Sequence, residues 1–283
     1  MSRETTYNFA AGPSALPTEV LQIAASELLD FRSSGLSVME MSHRSSLYLD
    51  IFNETKANLK KALNVPDTHE ILFLQGGAST QFSMVPLNLM GEGGSADYAV
   101  TGNFAKIAAK EAGKYGKVNI AADTSESNHT RIPTQSELKL DPNAKYFYYC
   151  SNNTIYGTEW KYVPEVSVPL VTDMSSDILS QEIPVDKFGI IFAGAQKNMA
   201  PAGATVVIIR KDLAGNELPF TPLMLNYKTM IDKDSMYNTP PCYTIYMLGL
   251  TLKWLEQQGG VAYDIILNKM PCCFKTIIRL LFC

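Results

Sequence analysis

The sequence predicts an α/β fold, a mostly parallel sheet flanked by helices. Three observations point to it. Short apolar runs suited to buried strands alternate with longer segments whose apolar residues recur at helical spacing. Between residues 70 and 115 the order strand, turn, helix occurs twice. Several strands also deliver polar residues at their C-terminal ends: Ser79, Thr154 and Asp173. In open α/β sheets that edge is where ligands bind.

In chain order, residues 7–17 mix apolar side chains with Gly and Pro and read as an extended arm that packs on something. Val20, Ile23, Ala24, Leu28 and Phe31 share one helical face, with Pro17 suited to the first turn and Ser33-Ser-Gly35 as the stop. A connector, Ser37 to Arg44, carries the basic pair His43 and Arg44. A helix from about Ser46 to Leu63 follows, its stripe formed by Leu47, Ile51, Phe52, Leu59 and Leu63; Asn64 and Pro66 close it. Glu70 to Leu74 is a strand. Gln75-Gly-Gly-Ala-Ser-Thr80 then leads into a helix, and a strand, a glycine turn and a helix start make an anion cradle. Taken alone this turn is a weak signal, matching neither the P-loop nor the dinucleotide fingerprint.

Ala96 to Thr101 is the next strand, followed by Gly102-Asn-Phe104 and a helix from about Ala105 to Tyr115. Lys145 to Cys150 and Val168 to Asp173 are further strands. The last clear element is an apolar helix from Cys242 to Gln258, stopped by Gly259-Gly260.

Composition narrows the function. The chain has 283 residues, 46% apolar and 18% charged, as in ordinary globular proteins. A net charge of −4 without a basic stripe argues against nucleic acid. No apolar run is long enough to span a bilayer. The polar N-terminus carries no secretory or transit pattern, and five cysteines without a spacing pattern suit a reducing, cytoplasmic compartment. Three histidines away from any cysteine cluster make a metal site improbable.

The chemistry centres on Lys197. An apolar strand, Gly189 to Ala193, breaks at Gly194; Lys197 lies just past the break, and a second apolar strand, Ala204 to Arg210, follows. A lysine desolvated between core strands becomes a nucleophile able to form a Schiff base. The ordinary alternative is a loop lysine at a strand corner. A phosphate cradle, a strand-end carboxylate and such a lysine together are what pyridoxal phosphate requires.

Seven stretches, in order, carry a family likeness: Asn8-Phe-Ala-Ala-Gly-Pro-Ser-Ala-Leu-Pro17, Ser37-Val-Met-Glu-Met-Ser-His-Arg44, Gln75-Gly-Gly-Ala-Ser-Thr-Gln-Phe82, Ala96-Asp-Tyr-Ala-Val-Thr-Gly102, Tyr149-Cys-Ser-Asn-Asn-Thr-Ile-Tyr-Gly157, Ala193-Gly-Ala-Gln-Lys-Asn198 and Ser235-Met-Tyr-Asn-Thr-Pro-Pro241. In these the chain resembles the phosphoserine aminotransferase family, fold-type I pyridoxal-phosphate enzymes of aminotransferase class V. The resemblance implies that Lys197 is the Schiff-base lysine and proton shuttle, and that Asp173 pairs with the pyridinium nitrogen. Ala78 and Ser79 would hold the cofactor phosphate, with Gln196 adding a hydrogen bond. Thr154 would contact the ring substituents, and Phe104 would stack on the ring where the family usually has tryptophan. Asn238 and Thr239 would reach the phosphate of the cofactor bound by the other subunit of a homodimer. His43 and Arg44 would meet the substrate's distal anion, and Ala11 would lie where the arm approaches glutamate.

Each role has a plainer alternative: Asp173 as a helix N-cap, His43 and Arg44 as a solvated turn, Asn238 and Thr239 as an ordinary loop. The implied reaction moves an amino group from glutamate to 3-phosphohydroxypyruvate, a phosphorylated keto acid. The family also continues into a small C-terminal domain that carries a carboxylate-binding arginine, and this sequence lacks that pattern. The expected division is therefore an N-terminal arm (1–17), a cofactor-binding large domain (18–258) and a divergent remnant (259–283), with apolar surface exposed on the 242–258 helix. A cofactor-binding remnant or dimer partner without turnover is the alternative function.

Overall fold

A computed structural model describes residues 3–261; the expectations for the segment 265–283 lie outside them. In chain order the elements are α1 (Thr18–Ser26), α2 (Ser46–Ala62), β1 (His69–Leu74), α3 (Gly77–Leu89), β2 (Ser95–Val100), α4 (Asn103–Ala112) and β3 (Lys117–Asp123). Then come β4 (Ala144–Cys150), β5 (Asn152–Asn153), β6 (Thr158–Glu159), β7 (Leu170–Asp173), β8 (Ile190–Gly194), β9 (Thr205–Arg210), α5 (Tyr227–Asp232) and α6 (Cys242–Gln257).

Seven strands form one sheet in the order β1-β9-β8-β7-β4-β2-β3. Parallel pairing joins β8, β7, β4, β2 and β3. Strand β9 runs against both of its neighbours, so β1 points the same way as the parallel set. The C-terminal ends of β1, β8, β7, β4 and β2 therefore meet along one edge of the sheet.

Side-chain alternation splits the core into two layers, as a sheet covered on both faces requires. Ile71, Phe73, Phe147, Tyr149, Ile191, Val206 and Ile208 face a layer containing α1, α2 and α6. Leu72, Leu74, Tyr146, Tyr148, Phe192, Val207 and Ile209 face the layer of α3, α4 and α5. Central strands β7 and β8 are buried throughout, which is why they read as unbroken apolar runs.

The structure corrects several expectations. The first helix ends at Ser26 rather than near Phe31, and Arg32 and Ser33 have φ of 50° and 59°. Its buried face is only Val20 and Ala24, whereas Ile23 and Leu28 are exposed and Phe31 is buried from a separate turn. Strand β3 and helix α5 escaped the sequence reading. β3 is an edge strand with mixed burial, so it lacks a clean alternating or continuous apolar signature. The apolar surface expected on α6 is covered: α6 packs against α2 and α1, with Ile245 and Leu248 fully buried.

Candidate active site

Lys197 is brought to the sheet edge by the turn between β8 and β9. In the sheet register Gly194 pairs with Thr205, and Thr205 pairs with Leu74 at the end of β1. The end of β1 thus lies two strand spacings, roughly 10 Å, from the lysine turn. On the other side of β8, Asp173 pairs with Phe192 and with Cys150, which places the ends of β7 and β4 beside the same turn.

The half-buried Lys197 ammonium donates to Thr154 Oγ1 at 2.7 Å and lies 5.9 Å from the centroid of the Phe104 ring. Phe104 stands in the first turn of α4 and is 38% exposed, so one ring face is open to a stacking partner. Thr154 follows the buried Asn153, whose amide exchanges hydrogen bonds with Thr101 at 3.2–3.3 Å and donates to Thr158 Oγ1 at 3.1 Å. Asn153 also explains Gly102: a Cβ there would stand 2.7 Å from Asn153 Oδ1. One side chain therefore fixes both the Phe104 turn and the Thr154 turn.

Asp173 is 4% exposed, and its Oδ1 accepts the Ser175 backbone N–H at 2.9 Å. Burial pushes its carboxyl up, opposed by the hydrogen bonds from Ser175 and by the Lys197 charge. Ser175 Oγ also accepts the Gly194 backbone N–H at 3.0 Å, which ties the Asp173 turn to the lysine turn. Asn198 donates to the Ile178 carbonyl at 2.9 Å. The lysine turn and the Asp173 turn are thus laced together.

The N-terminal arm closes the other side. Ser14 N–H donates to the Gln196 carbonyl at 2.9 Å, and Ser14 Oγ donates to the Lys197 carbonyl. Gly12 faces the lysine stem. Ala11 lies next to it on the exposed arm. The Gln196 side chain folds back over Gly194, where a Cβ would be 2.6 Å from its Oε1.

Gly76, with φ of 84°, turns the chain into α3. No side chain caps this helix, and no acid stands in its first turn. Ala78 and Ser79 lie in that turn, where backbone N–H groups and the helix dipole favour an anion. Asn238 and Thr239 are on the flank of the cradle: Asn238 Nδ2 is 3.3 Å from Gln75 Oε1, and Gln75 Nε2 donates to the Thr239 carbonyl at 2.9 Å. His43 and Arg44 occupy the turn ahead of α2, His43 half-buried and Arg44 exposed.

These residues suit pyridoxal phosphate on the structure's own terms. An uncapped helix start fits its phosphate, a buried carboxyl held beside an ammonium fits its ring nitrogen, and an amine over an open aromatic face fits its aldehyde and ring. Among the described residues no group of His, Cys, Asp or Glu could hold a metal ion. Sequence reasoning missed Gly12, Ser14, Asn153 and Ser175. All four act through backbone contacts or second partners, which leave no pattern of their own in the sequence; Gly12, Ser14 and Asn153 lie in the family-like stretches and Ser175 lies outside them.

An α/β sheet with this lysine corner, carboxylate and phosphate cradle along one edge defines a fold-type I pyridoxal-phosphate-dependent transaminase. Comparison with known proteins agrees. The aminotransferase class-V family model matches residues 6–266, and the chain belongs to that family. Among its relatives are phosphoserine aminotransferases. That of Laribacter hongkongensis is 53% identical over 91% of this chain and 72% of its own length. That of Pseudomonas aeruginosa is 54% identical over 90% and 71%. The solved phosphoserine aminotransferase of Bacillus circulans subsp. alkalophilus superposes with a TM-score of 0.91 at 46% identity, covering 94% of this chain and 74% of that one. A pyridoxal-phosphate-bound phosphoserine aminotransferase from Trichomonas vaginalis gives 0.89 at 42% identity, covering 93% and 78%.

Proposed function

We propose that this chain transfers the amino group of glutamate to 3-phosphohydroxypyruvate, giving phosphoserine and 2-oxoglutarate in serine biosynthesis. The observation that carries the reading is the convergence of Lys197, Thr154, Phe104 and Asp173 at one sheet edge, in a chain 53% identical to a phosphoserine aminotransferase. Bound pyridoxal phosphate supplies an electron sink that lets the substrate Cα–H ionise. This chain's residues do the rest. Lys197 Nζ would hold the cofactor through its aldehyde and would be the group that takes the proton from the substrate Cα. Thr154 Oγ1 orients Nζ. Asp173 keeps the ring nitrogen protonated, and Phe104 covers one ring face. The first turn of α3, with Ala78 and Ser79, holds the phosphate, and Gln196 contributes a hydrogen bond.

His43 and Arg44 serve the substrate's distal phosphate or carboxylate, since a guanidinium matches both anions in a bidentate way. Ala11 borders the glutamate side. We assign the working form to a homodimer in which Asn238 and Thr239 of one protomer complete the phosphate site of its partner; their position on the outer flank of the cradle supports this. We assign residues 1–17 to the arm and 18–258 to the cofactor-binding large domain. No helix among the described residues is long and apolar enough to cross a membrane. The free thiols of Cys150 and Cys242 support a cytoplasmic setting.

The test is the visible absorbance of the purified chain with pyridoxal phosphate, before and after glutamate. A band absent from Lys197→Ala and shifted by glutamate is expected. A band blind to glutamate would leave cofactor binding without amino transfer and would sink the proposed reaction.

A further inference from the structure

Behind Asp173 lies a second buried carboxyl that the reaction does not use. Asp177 is 4% exposed and sits in the turn that follows β7. Its Oδ1 is 2.7 Å from Ser151 Oγ, and that same oxygen is 3.0 Å from the Asp173 carbonyl. The Asp173 carbonyl also accepts the Ser151 backbone N–H at 3.1 Å. A serine hydroxyl has one proton and two lone pairs. A carbonyl oxygen only accepts. If Ser151 gives its proton to the Asp173 carbonyl, its contact with Asp177 is good only when Asp177 carries a proton of its own.

We propose that Asp177 is a positioning residue that works as a neutral carboxylic acid, donating to Ser151 Oγ, which in turn donates to the Asp173 carbonyl. The relay holds the end of β7 in place without a second negative charge beside the Asp173 carboxylate. The proposal deepens the transaminase reading and rests on it for its functional consequence.

The surroundings agree. The charged and titratable groups facing Asp177 are Glu159 from β6, Asp173 from β7, and Tyr149 and Cys150 from β4. Glu159 is already committed, to Lys161 at 2.5 Å and to Gln181 at 3.2 Å. No cation pairs with Asp177 in this set. Burial, followed by the Glu159 and Asp173 charges, pushes its carboxyl up to about 7 against the Ser151 hydrogen bond.

The sign of the linkage follows. Below the unfolded aspartate pKa both states hold the proton. From there to about 7 the unfolded chain ionises and the fold does not, so Asp177 lowers stability progressively as pH rises. The test is urea unfolding of the full chain without cofactor from pH 4 to 8, wild type against Asp177→Asn. The amide keeps a donor toward Ser151 and does not titrate. The wild-type unfolding constant is expected to rise relative to the variant by roughly a hundred- to a thousandfold across that range. A ratio flat with pH would mean an ionised Asp177 in the fold and would overturn the proposal.

Should Asp177→Asn fail to fold, infrared titration of the wild type decides. A protonated-carboxyl band that disappears near neutrality, and persists in Asp173→Asn, supports the proposal; its absence overturns it. With pyridoxal phosphate present, Asp177→Asn is expected to keep the lysine-dependent visible band, and Asp177→Ala to bind the cofactor at least fivefold more weakly. Equal binding by both variants would refute the positioning role. A wild type without any such band would instead refute the transaminase reading, while the unfolding comparison still locates the proton.

Discussion

Gly12 lies against the stem of Lys197: a methyl group on Gly12 would stand 2.9 Å from Cγ and 3.3 Å from Cε of the lysine. The arm is thus part of the wall that aims Nζ at Thr154 and the Phe104 ring.

Gly12→Ala should therefore push the lysine stem aside. Overpacking of this kind costs about 1–3 kcal/mol, here spent largely on lysine placement. The expected result is cofactor binding weakened roughly tenfold or more, read from the visible band against added pyridoxal phosphate. Global stability should fall less, because the arm is exposed around this point.

Thr154→Val removes the oxygen that receives the Lys197 proton. A hydrogen bond to a charged group contributes about 1.5–3 kcal/mol when lost, and the half-buried setting favours the lower end. Cofactor affinity should drop about tenfold, while the urea midpoint stays close to wild type. A stability loss without an affinity loss would show that Thr154 only packs.

Gly76→Ala tests the phosphate cradle. The residue has φ of 84°, and a Cβ would fall 1.9 Å from Thr80 Oγ1 and 2.8 Å from Thr80 Cβ. Strain in the left-handed region costs about 1–2 kcal/mol, and Thr80 must also leave its place in the first turn of α3. Loss of phosphate retention is expected, measured as weakened competition by inorganic phosphate for the cofactor. The double change Gly76→Ala with Thr80→Ala should recover part of it.

Acid sensitivity should be visible at the ion-paired group between α2 and β1. Lys56 Nζ lies 2.5 Å from Glu70 and 2.6 Å from Asp234. Burial alone would raise the Glu70 carboxyl, yet the Lys56 hydrogen bond and charge hold it below the usual range. Its contribution is therefore present at neutral pH and lost as pH falls through the depressed value. Lys56→Met should cost about 1–2 kcal/mol at pH 7 and much less near pH 3, measured by urea unfolding at both.

Much of this was legible in the residues. The strands on which the site rests are buried on both faces, so their apolar runs stood out, and Lys197, Asp173 and Thr154 fall at their ends. What stayed hidden depends on partners distant in sequence. Ser14 matters because Gln196 and Lys197 present their carbonyls to it, and nothing local announces that. Asp177 reads as a polar turn residue until Ser151, twenty-six positions earlier, is seen beside it. The early end of α1 was hidden for a different reason: Leu28 and Phe31 continue the helical spacing, but the backbone leaves the helix at Ser26. Phe31 is buried through another turn, so periodicity alone gave the wrong element.

The antiparallel pairing of β8 with β9 has a consequence for the order in which the molecule assembles. The lysine corner closes a hairpin whose strands are separated by only the residues of its turn, whereas Asp173, Thr154 and the α3 cradle join it through longer connections across the sheet. Short loops close at lower entropic cost and faster. The nucleophile's backbone is accordingly able to form before its electrostatic partners arrive. Amide exchange during refolding should find Ile190–Gly194 and Thr205–Arg210 protected earlier than Leu170–Asp173, so the cofactor is first captured by a chain that already has its lysine in place.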